Sequence, residues 1–408
     1  MNKKIAIVGA GVGGLHLGLY LRQHDVDVTI YTDREPEEYA GLRLLNTVTH
    51  HAITVAREKE LGVNHWCDET YGYPGQTYYF GGEKPLHFRG DLGSPSRAVD
   101  YRIYLPQLMN DFLERGGKIQ YKDIQAADLA GLAKSVDLVV VCVGKGTLRD
   151  VFARNEKLSP HSAPQRIICA GIYTGIADEE HRNVTLSNSP GNGEIIDLPT
   201  VTFQGAGHAL LTLNIPGGDT EEWAHLNYDE NPRRFLDAML KKLEKYHPTI
   251  SARIDPAKFD LANGSRDLLQ GGVIPVVREG YIGLGDDKFA IALGDAHATV
   301  DPLMGQGANM ASYSAFVLGE EIVKQSVIDE RFCQIVDDKR RDRVECATHW
   351  TNLFLKPPRQ ETMQAVAQMS ENRDMCDEFT KAFNRPEEQW NRFATGARTQ
   401  RWINSWMN

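Results

Sequence analysis

The chain has 408 residues, room for two domains of roughly 100–200 residues each, and its 41% hydrophobic and 25% charged content is that of an ordinary globular protein. A formal net charge of −10 argues against a phosphate-backbone partner, so no nucleic acid is expected. Six cysteines without a CxxC pair read as reduced thiols of a cytosolic protein, no cleavable signal precedes the first strand, and no stretch reaches the ~18 apolar residues of a membrane span.

Residues 4–8 predict a strand, 15–24 a helix and 26–31 a second strand, which is β-α-β at the length a parallel sheet needs. Between the first strand and the helix lies G-x-G-x-x-G at Gly9, Gly11 and Gly14. The first glycine permits a tight turn, the second lets backbone approach a pyrophosphate, and the third lets helix pack on sheet. The helix start then offers free N–H groups and a positive dipole to an anion. Strand before and helix after are the context that turns a weak motif into a dinucleotide site. Asp33, just past the second strand, or Thr32 before it, is the candidate for the ribose hydroxyls.

Val136–Val143 is almost wholly apolar, as a strand covered on both faces by helices must be. From about 166 to 285 the runs turn short, β-rich and turn-punctuated, predicting an antiparallel sheet. One helix interrupts them, with Leu236, Met239, Leu240 and Leu243 at helical spacing. Phe289–Leu293 predicts a further strand, and beyond 305 the chain reads helical.

Residues 292–310, from Ala-Leu-Gly-Asp through Asp-Pro-Leu-Met-Gly-Gln-Gly-Ala-Asn-Met, resemble the GD box and D-P-x-x-G-x-G-x-N loop of the para-hydroxybenzoate-hydroxylase class. That resemblance implies FAD. Asp295 would accept from a ribityl hydroxyl, while Pro302, Gly305, Gly307, Ala308 and Asn309 would set a loop and helix start beside the flavin, favouring its reduced anion. Arg43 matches the class's arginine near the phosphates, and Arg102 another cofactor-side arginine. Where the class carries an Asp-Gly pair serving FAD and NAD(P)H, this chain reads Val143-Gly144-Lys145-Gly146-Thr147. Gly144 would still border the cofactor, but without the Asp no NAD(P)H site is expected. The implied fold class is α/β, a glutathione-reductase-like Rossmann FAD domain (1–45, 100–165, 286–330) with an inserted β-rich substrate domain (46–99, 166–285) and a helical C-terminal region (331–408).

Several longer blocks are more specific. Val-Asp-Val-Thr-Ile-Tyr-Thr-Asp-Arg at 26–34, Gly41–Val48, Pro95–Arg102, Leu268–Val273, Asp301–Ser312 and Asp377–Thr380 are similar to the epoxidase component of two-component styrene monooxygenases. The family implies reduced FAD supplied by an NADH-dependent flavin reductase, O2, a flavin C4a-hydroperoxide as oxidant, and conversion of styrene to mainly (S)-styrene oxide. Indole is the alternative substrate, and a homodimer stays open. Electrophilic oxygen transfer to C=C needs no side-chain nucleophile or strong base and no metal. It needs an apolar, water-poor pocket. The candidate walls are Leu44, Leu45, Asn46, Val48, Tyr73, Gln76, Ser96, Pro302 and Leu303, with Gln76 standing where the family pattern leads one to expect His. His50, His51 and His297 are expected to be structural. A flavin halogenase would carry W-x-W-x-I-P, which is absent, and a single-component hydroxylase would keep the Asp-Gly pair. A non-enzymatic flavin carrier would not need a dedicated apolar domain.

Overall fold

A computed structural model gives the architecture and describes residues 3–46 and 48–407; Thr47, in the Gly41–Val48 block, lies outside them. The first sheet has six strands in the order Tyr281–Gly285, Lys288–Ala292, Leu138–Val141, Lys4–Val8, Asp27–Thr32, Lys118–Tyr121. All neighbours are parallel except the Tyr281–Gly285 hairpin strand. Its central strands are buried on both faces, which explains the uninterrupted apolar runs at 4–8 and 138–141. The two strands that sequence reading passed over sit at the sheet's edges. Lys118–Tyr121 is largely exposed and so carries no apolar signature, and Tyr281–Gly285, inside the 166–285 segment expected for the second domain, joins the first sheet by hairpin pairing.

The second sheet contains strands from both 46–99 and 166–285. Asp260–Ser265, Ile167–Thr174, Gly205–Asn214, Gly193–Thr202, Val184–Ser189, Tyr73–Phe80, Leu86–Ala98 and Thr49–His50 follow one another across it, and Leu268–Gly272 pairs on Ile167–Thr174. The pairing is antiparallel except where Tyr73–Phe80 meets Val184–Ser189 in parallel and so joins the two chain segments. Side chains alternate between two cores, as the period-2 pleat requires. Ile168, Ala170, Ile196, Leu198, Leu211 and Leu213 face the C-terminal helices, while Cys169, Ile195 and Leu210 face the helix Pro232–Tyr246, which buries Leu236, Met239 and Leu243.

After Gly307–Lys324, the helices Glu330–Phe354, Gln360–Glu371, Arg373–Lys381, Pro386–Phe393 and Gly396–Ser405 complete the chain. The long helix is pinned to the first sheet by buried Arg340, which donates to the carbonyls of Ala292 (2.6 Å) and Gly280 (2.8 Å). The following helices close on the second sheet, so tightly at Gly90 that a methyl there would overlap Thr380.

Behind the junction of the two sheets lies one buried polar network. Glu58, fully buried on the helix Ala52–Glu60, accepts from His50 Nδ1 (2.6 Å), from the Tyr104 hydroxyl (2.8 Å) and from Arg97. Tyr104 spends its proton on Glu58, so His16 Nε2–H donates to the Tyr104 oxygen (2.7 Å), and His16 Nδ1 accepts from Ser312 (3.0 Å). Burial lowers His16 to about 3, keeping it neutral. Burial alone would raise the Glu58 carboxyl, but His50 and Arg97 outweigh it and hold the group down at about 2. The folded value lies below the unfolded one of roughly 4.3, so the stabilisation is present above that pH and is lost as pH falls toward about 2. Glu58→Ala, which removes the fully buried partner of Arg97 and leaves it only Asp68 at 3.6 Å, is expected to cost about 3–5 kcal/mol in urea unfolding at pH 7. The difference from the parent should shrink as the pH drops below about 4; a pH-independent loss under 1 kcal/mol would contradict the network's role.

Candidate functional site

Where the ends of the parallel strands meet the second sheet there is a cleft of about 380 Å³. Gly11, Val12 and Gly13 stand at one end with Lys145, Gly294 and Asp295. The apolar side chains Ile168, Ala170, Ile196, Leu198 and Leu211 of the second sheet stand at the other. Leu45, Val48, Pro302, Leu303, Gly305, Gly307 and Ala308 line the span between.

The polar end follows from backbone geometry. Gly9 has φ 112°, which permits the turn, and its N–H donates to the Tyr31 carbonyl at 2.8 Å. A methyl on Gly14 would overlap the Gly9 carbonyl, whereas one on Gly11 would meet nothing within 4 Å and point into open space. The helix Val12–Gln23 therefore begins at the cleft. So does Gly307–Lys324, after Gly305 turns the chain at φ 60°. Neither helix has an acidic residue in its first turn, so the free N–H groups of both favour an anion there. Gly144 lies flat on Asp295, where a side chain would overlap it. The Asp295 side chain is exposed in the open cleft, where the surrounding protein raises its carboxyl above the ordinary value while Lys145 and Arg278 pull it back. An open cradle at Gly11, two converging helix starts and a carboxylate suit a molecule with a pyrophosphate, a polyol and an anionic ring, as a flavin dinucleotide has.

The other sequence-proposed cofactor residues lie around this end. Thr32 is buried at its strand end, and exposed Asp33 sits 3.4 Å from Arg34; neither lines the cleft. Arg43 is largely exposed, 3.6 Å from Asp229, and does not line the cleft. Arg102 is differently placed. Its buried guanidinium donates to Asp100, to Asp267 (2.6 Å) and to the carbonyls of Leu42 (3.3 Å) and Arg266 (3.1 Å), so it clasps the two domains rather than presenting free donors. Asn309 is also committed to protein. It donates to Thr49 O (2.8 Å) and Gly305 O (2.6 Å) and accepts from His51 N (2.9 Å) and the Thr54 hydroxyl (2.7 Å), fixing the loop shape.

Of the proposed walls, Leu45, Asn46, Val48, Gln76, Pro302 and Leu303 reach the cleft. Leu44, Tyr73 and Ser96 are buried behind it, Tyr73 donating to Thr49 Oγ1 at 2.8 Å. Sequence reasoning did not put His51, Tyr101, Cys142 or Phe383 on the lining, yet they line it. The three titratable ones are neutral near pH 7: burial lowers His51 to about 4, raises Cys142 to about 12 and holds Tyr101 well above its usual range. No pattern in the sequence marks such residues, because long-range packing selects them.

Residues 144–253 match the family profile described as "Styrene monooxygenase A putative substrate binding domain". Over its full length the chain is 54% identical to styrene monooxygenase StyA of Pseudomonas fluorescens, covering 99% of that protein. This chain belongs to the styrene monooxygenase family. It is also 54% identical to a StyA from a Pseudomonas species over 98% of both chains. Among solved structures, the flavin-dependent brominase Bmp2 superposes with a TM-score of 0.65 at 16% identity, covering 98% of this chain and all of the other, a likeness of fold.

The loop glycines predict two different failures. Gly11→Val is expected to keep the melting temperature within about 3 °C while weakening FAD binding by more than about tenfold in a fluorescence titration. Gly14→Ala, which forces helix from sheet, should instead lower the melting temperature or prevent folding. Full FAD affinity in Gly11→Val would contradict the assignment of the pyrophosphate to this loop.

Proposed function

We propose that the protein is an FAD-dependent styrene monooxygenase that works on reduced FAD delivered by a separate NADH-dependent flavin reductase and forms (S)-styrene oxide. The carrying observation is the two-ended cleft, with anion-binding backbone and Asp295 at one end and neutral, apolar walls at the other. Full-length identity to styrene monooxygenases supports the same reading. Bound reduced FAD supplies two electrons to O2, so that one oxygen atom bridges the alkene carbons and the other, with two protons, leaves as water.

The chain's own part is binding, orientation and dryness. Gly11 and the start of Val12–Gln23 would hold the pyrophosphate and Asp295 the ribityl chain, while Gly307 and Ala308 would give the flavin edge backbone N–H groups; the Gly305 N–H closes its own turn on the Pro302 carbonyl at 2.9 Å. Leu45, Val48 and Leu303, with the sheet residues, bound the alkene and keep water from releasing peroxide. Neutral His51, Tyr101 and Cys142 offer the epoxide no anionic nucleophile. Styrene is favoured over indole because an apolar slot suffices for it. Burying an unpaired indole N–H costs roughly 1–3 kcal/mol; the Gln76 amide oxygen accepts from the Tyr78 hydroxyl at 2.6 Å and has a second lone pair that could take that N–H, which keeps indole a secondary substrate.

The pure protein, mixed with chemically reduced FAD, air and styrene, should yield (S)-styrene oxide on a chiral column, with kcat/KM for styrene above that for indole. No epoxide would overturn the function, and racemic epoxide the single-face geometry. Without a reductase, NADH and NADPH should reduce bound FAD negligibly in stopped flow. Asp295→Ala should weaken reduced-FAD binding by the roughly 1.5–3 kcal/mol of a charge-assisted hydrogen bond while leaving the melting curve intact. Unchanged affinity would remove Asp295 from the site.

A further inference from the structure

Beyond the cleft lies a second, larger cavity of about 790 Å³, between the second sheet and the C-terminal helices and open to solvent on one side. Its walls are dominated by apolar side chains, among them Phe80, Phe88, Phe354, Val366, Met369 and Phe393. Its main charged pair is closed on itself: Arg166 donates to both Glu194 oxygens at 2.7 and 2.9 Å, and to the Leu355 carbonyl at 3.2 Å. What remains for a ligand is a mainly apolar surface, with Asn188, Lys356 and Arg359 among its polar members.

The two cavities share five lining residues, Leu186, Ile196, Leu303, Met304 and Phe383, which stand as a partition between them. Leu186 and Ile196 belong to paired strands. Phe383 is wedged edge-on against Trp350 (5.0 Å) and Phe379 (5.6 Å). Leu303 and Met304 sit on the short turn Pro302–Met304, just before the left-handed Gly305. Met304 is the unbranched, flexible member of the five, the type of side chain that changes rotamer at least cost. At its far side the larger cavity reaches a solvent rim formed by exposed Pro190, Gly191, Lys356, Pro357, Pro358 and Met363.

We propose that this chamber is the route by which the small, apolar aromatic alkene enters and waits, with the Met304 side chain as the movable gate into the cofactor cleft. The proposal rests on the styrene monooxygenase reading. A dinucleotide held from Gly11 to Gly305 fills the polar end of the cleft, and the remaining surface of that end carries Lys145 and Asp295. An apolar substrate that arrives after the cofactor thus needs another door. The chamber supplies one whose walls are mainly apolar between the rim and the gate, so the alkene passes to the flavin without opening the cofactor side to water.

The test has a structural and a kinetic arm. Crystals of the full chain with FAD are soaked in 4-bromostyrene and bromine is located by anomalous scattering. Bromine in the chamber, with or without a second site in the cleft, supports the route. Bromine in the cleft alone overturns it and leaves the epoxidase reading standing, and bromine in neither counts against both. In the kinetic arm, Val366→Trp inside the chamber and Met363→Trp at its rim are assayed with reduced FAD and styrene. Each should lower kcat/KM for styrene at least about fivefold while kcat at saturation and reduced-FAD affinity stay within about twofold. Met363→Trp carries this arm if the buried variant fails to fold, because Met363 is 41% exposed. An unchanged kcat/KM in the folded variants would overturn the proposal.

Discussion

Glu58 holds the functional architecture together. Its carboxylate, fully buried, gathers donors from three separate elements: His50 from the short strand beside the cleft, Arg97 from the long strand of the second sheet, and Tyr104 from the helix following it. Through Tyr104 the network continues to His16 on the dinucleotide-loop helix and Ser312 on the helix that starts at Gly307. Both helices whose N-termini point at the cleft are thus indexed to one charge. A buried charge is a costly way to join parts, since its desolvation must be repaid by partners in good geometry. It fixes relative position where apolar packing alone would allow sliding, and it does so behind the site. The apolar end of the cleft in front is left neutral.

That division answers a conflict in the chemistry. A flavin dinucleotide needs anion-stabilising groups and hydrogen-bond donors, whereas oxygen transfer to an alkene needs a dry, apolar surface. The structure meets both by adding backbone N–H groups to the single pair of charged side chains, Lys145 and Asp295, at the polar end. Helix starts at Val12 and Gly307 carry partial charge without long, hydrated side chains. Arg102 and Asn309, the polar residues best suited by type to touch a cofactor, spend their hydrogen bonds on the protein and give the site shape.

The sequence made legible what depends on local spacing. The glycine loop at 9–14, the buried strand near 138, the amphipathic helix near 236 and the GD box each declare themselves within twenty residues, because backbone conformation or a repeat of apolar side chains demands particular residue types there. The open space at Gly11 and the turn at Gly305 lie where those patterns put them. Long-range pairing stayed illegible. Nothing near Arg102 announces that Asp267 will neutralise it, and nothing near Tyr73 or Ser96 shows that they will stand behind the cleft wall. The strand Leu86–Ala98, with two glycines and a proline, lacks a strand pattern and is held by its neighbours and by Thr380. The C-terminal helices read as helices, but that they enclose a chamber beside the site follows only from how they meet the second sheet.

Cofactor and alkene are expected to meet in the cleft between the glycine loop and the second sheet, bounded by Asp295, Gly305, Leu45 and Val48. A crystal structure of the protein with FAD tests this most directly. The pyrophosphate should lie at Gly11, the ribityl chain within hydrogen-bonding distance of Asp295, and the flavin ring between the Pro302–Ala308 loop and the apolar sheet residues. A flavin ring bound elsewhere, or an Asp295 carboxylate without contact to it, would contradict the claim.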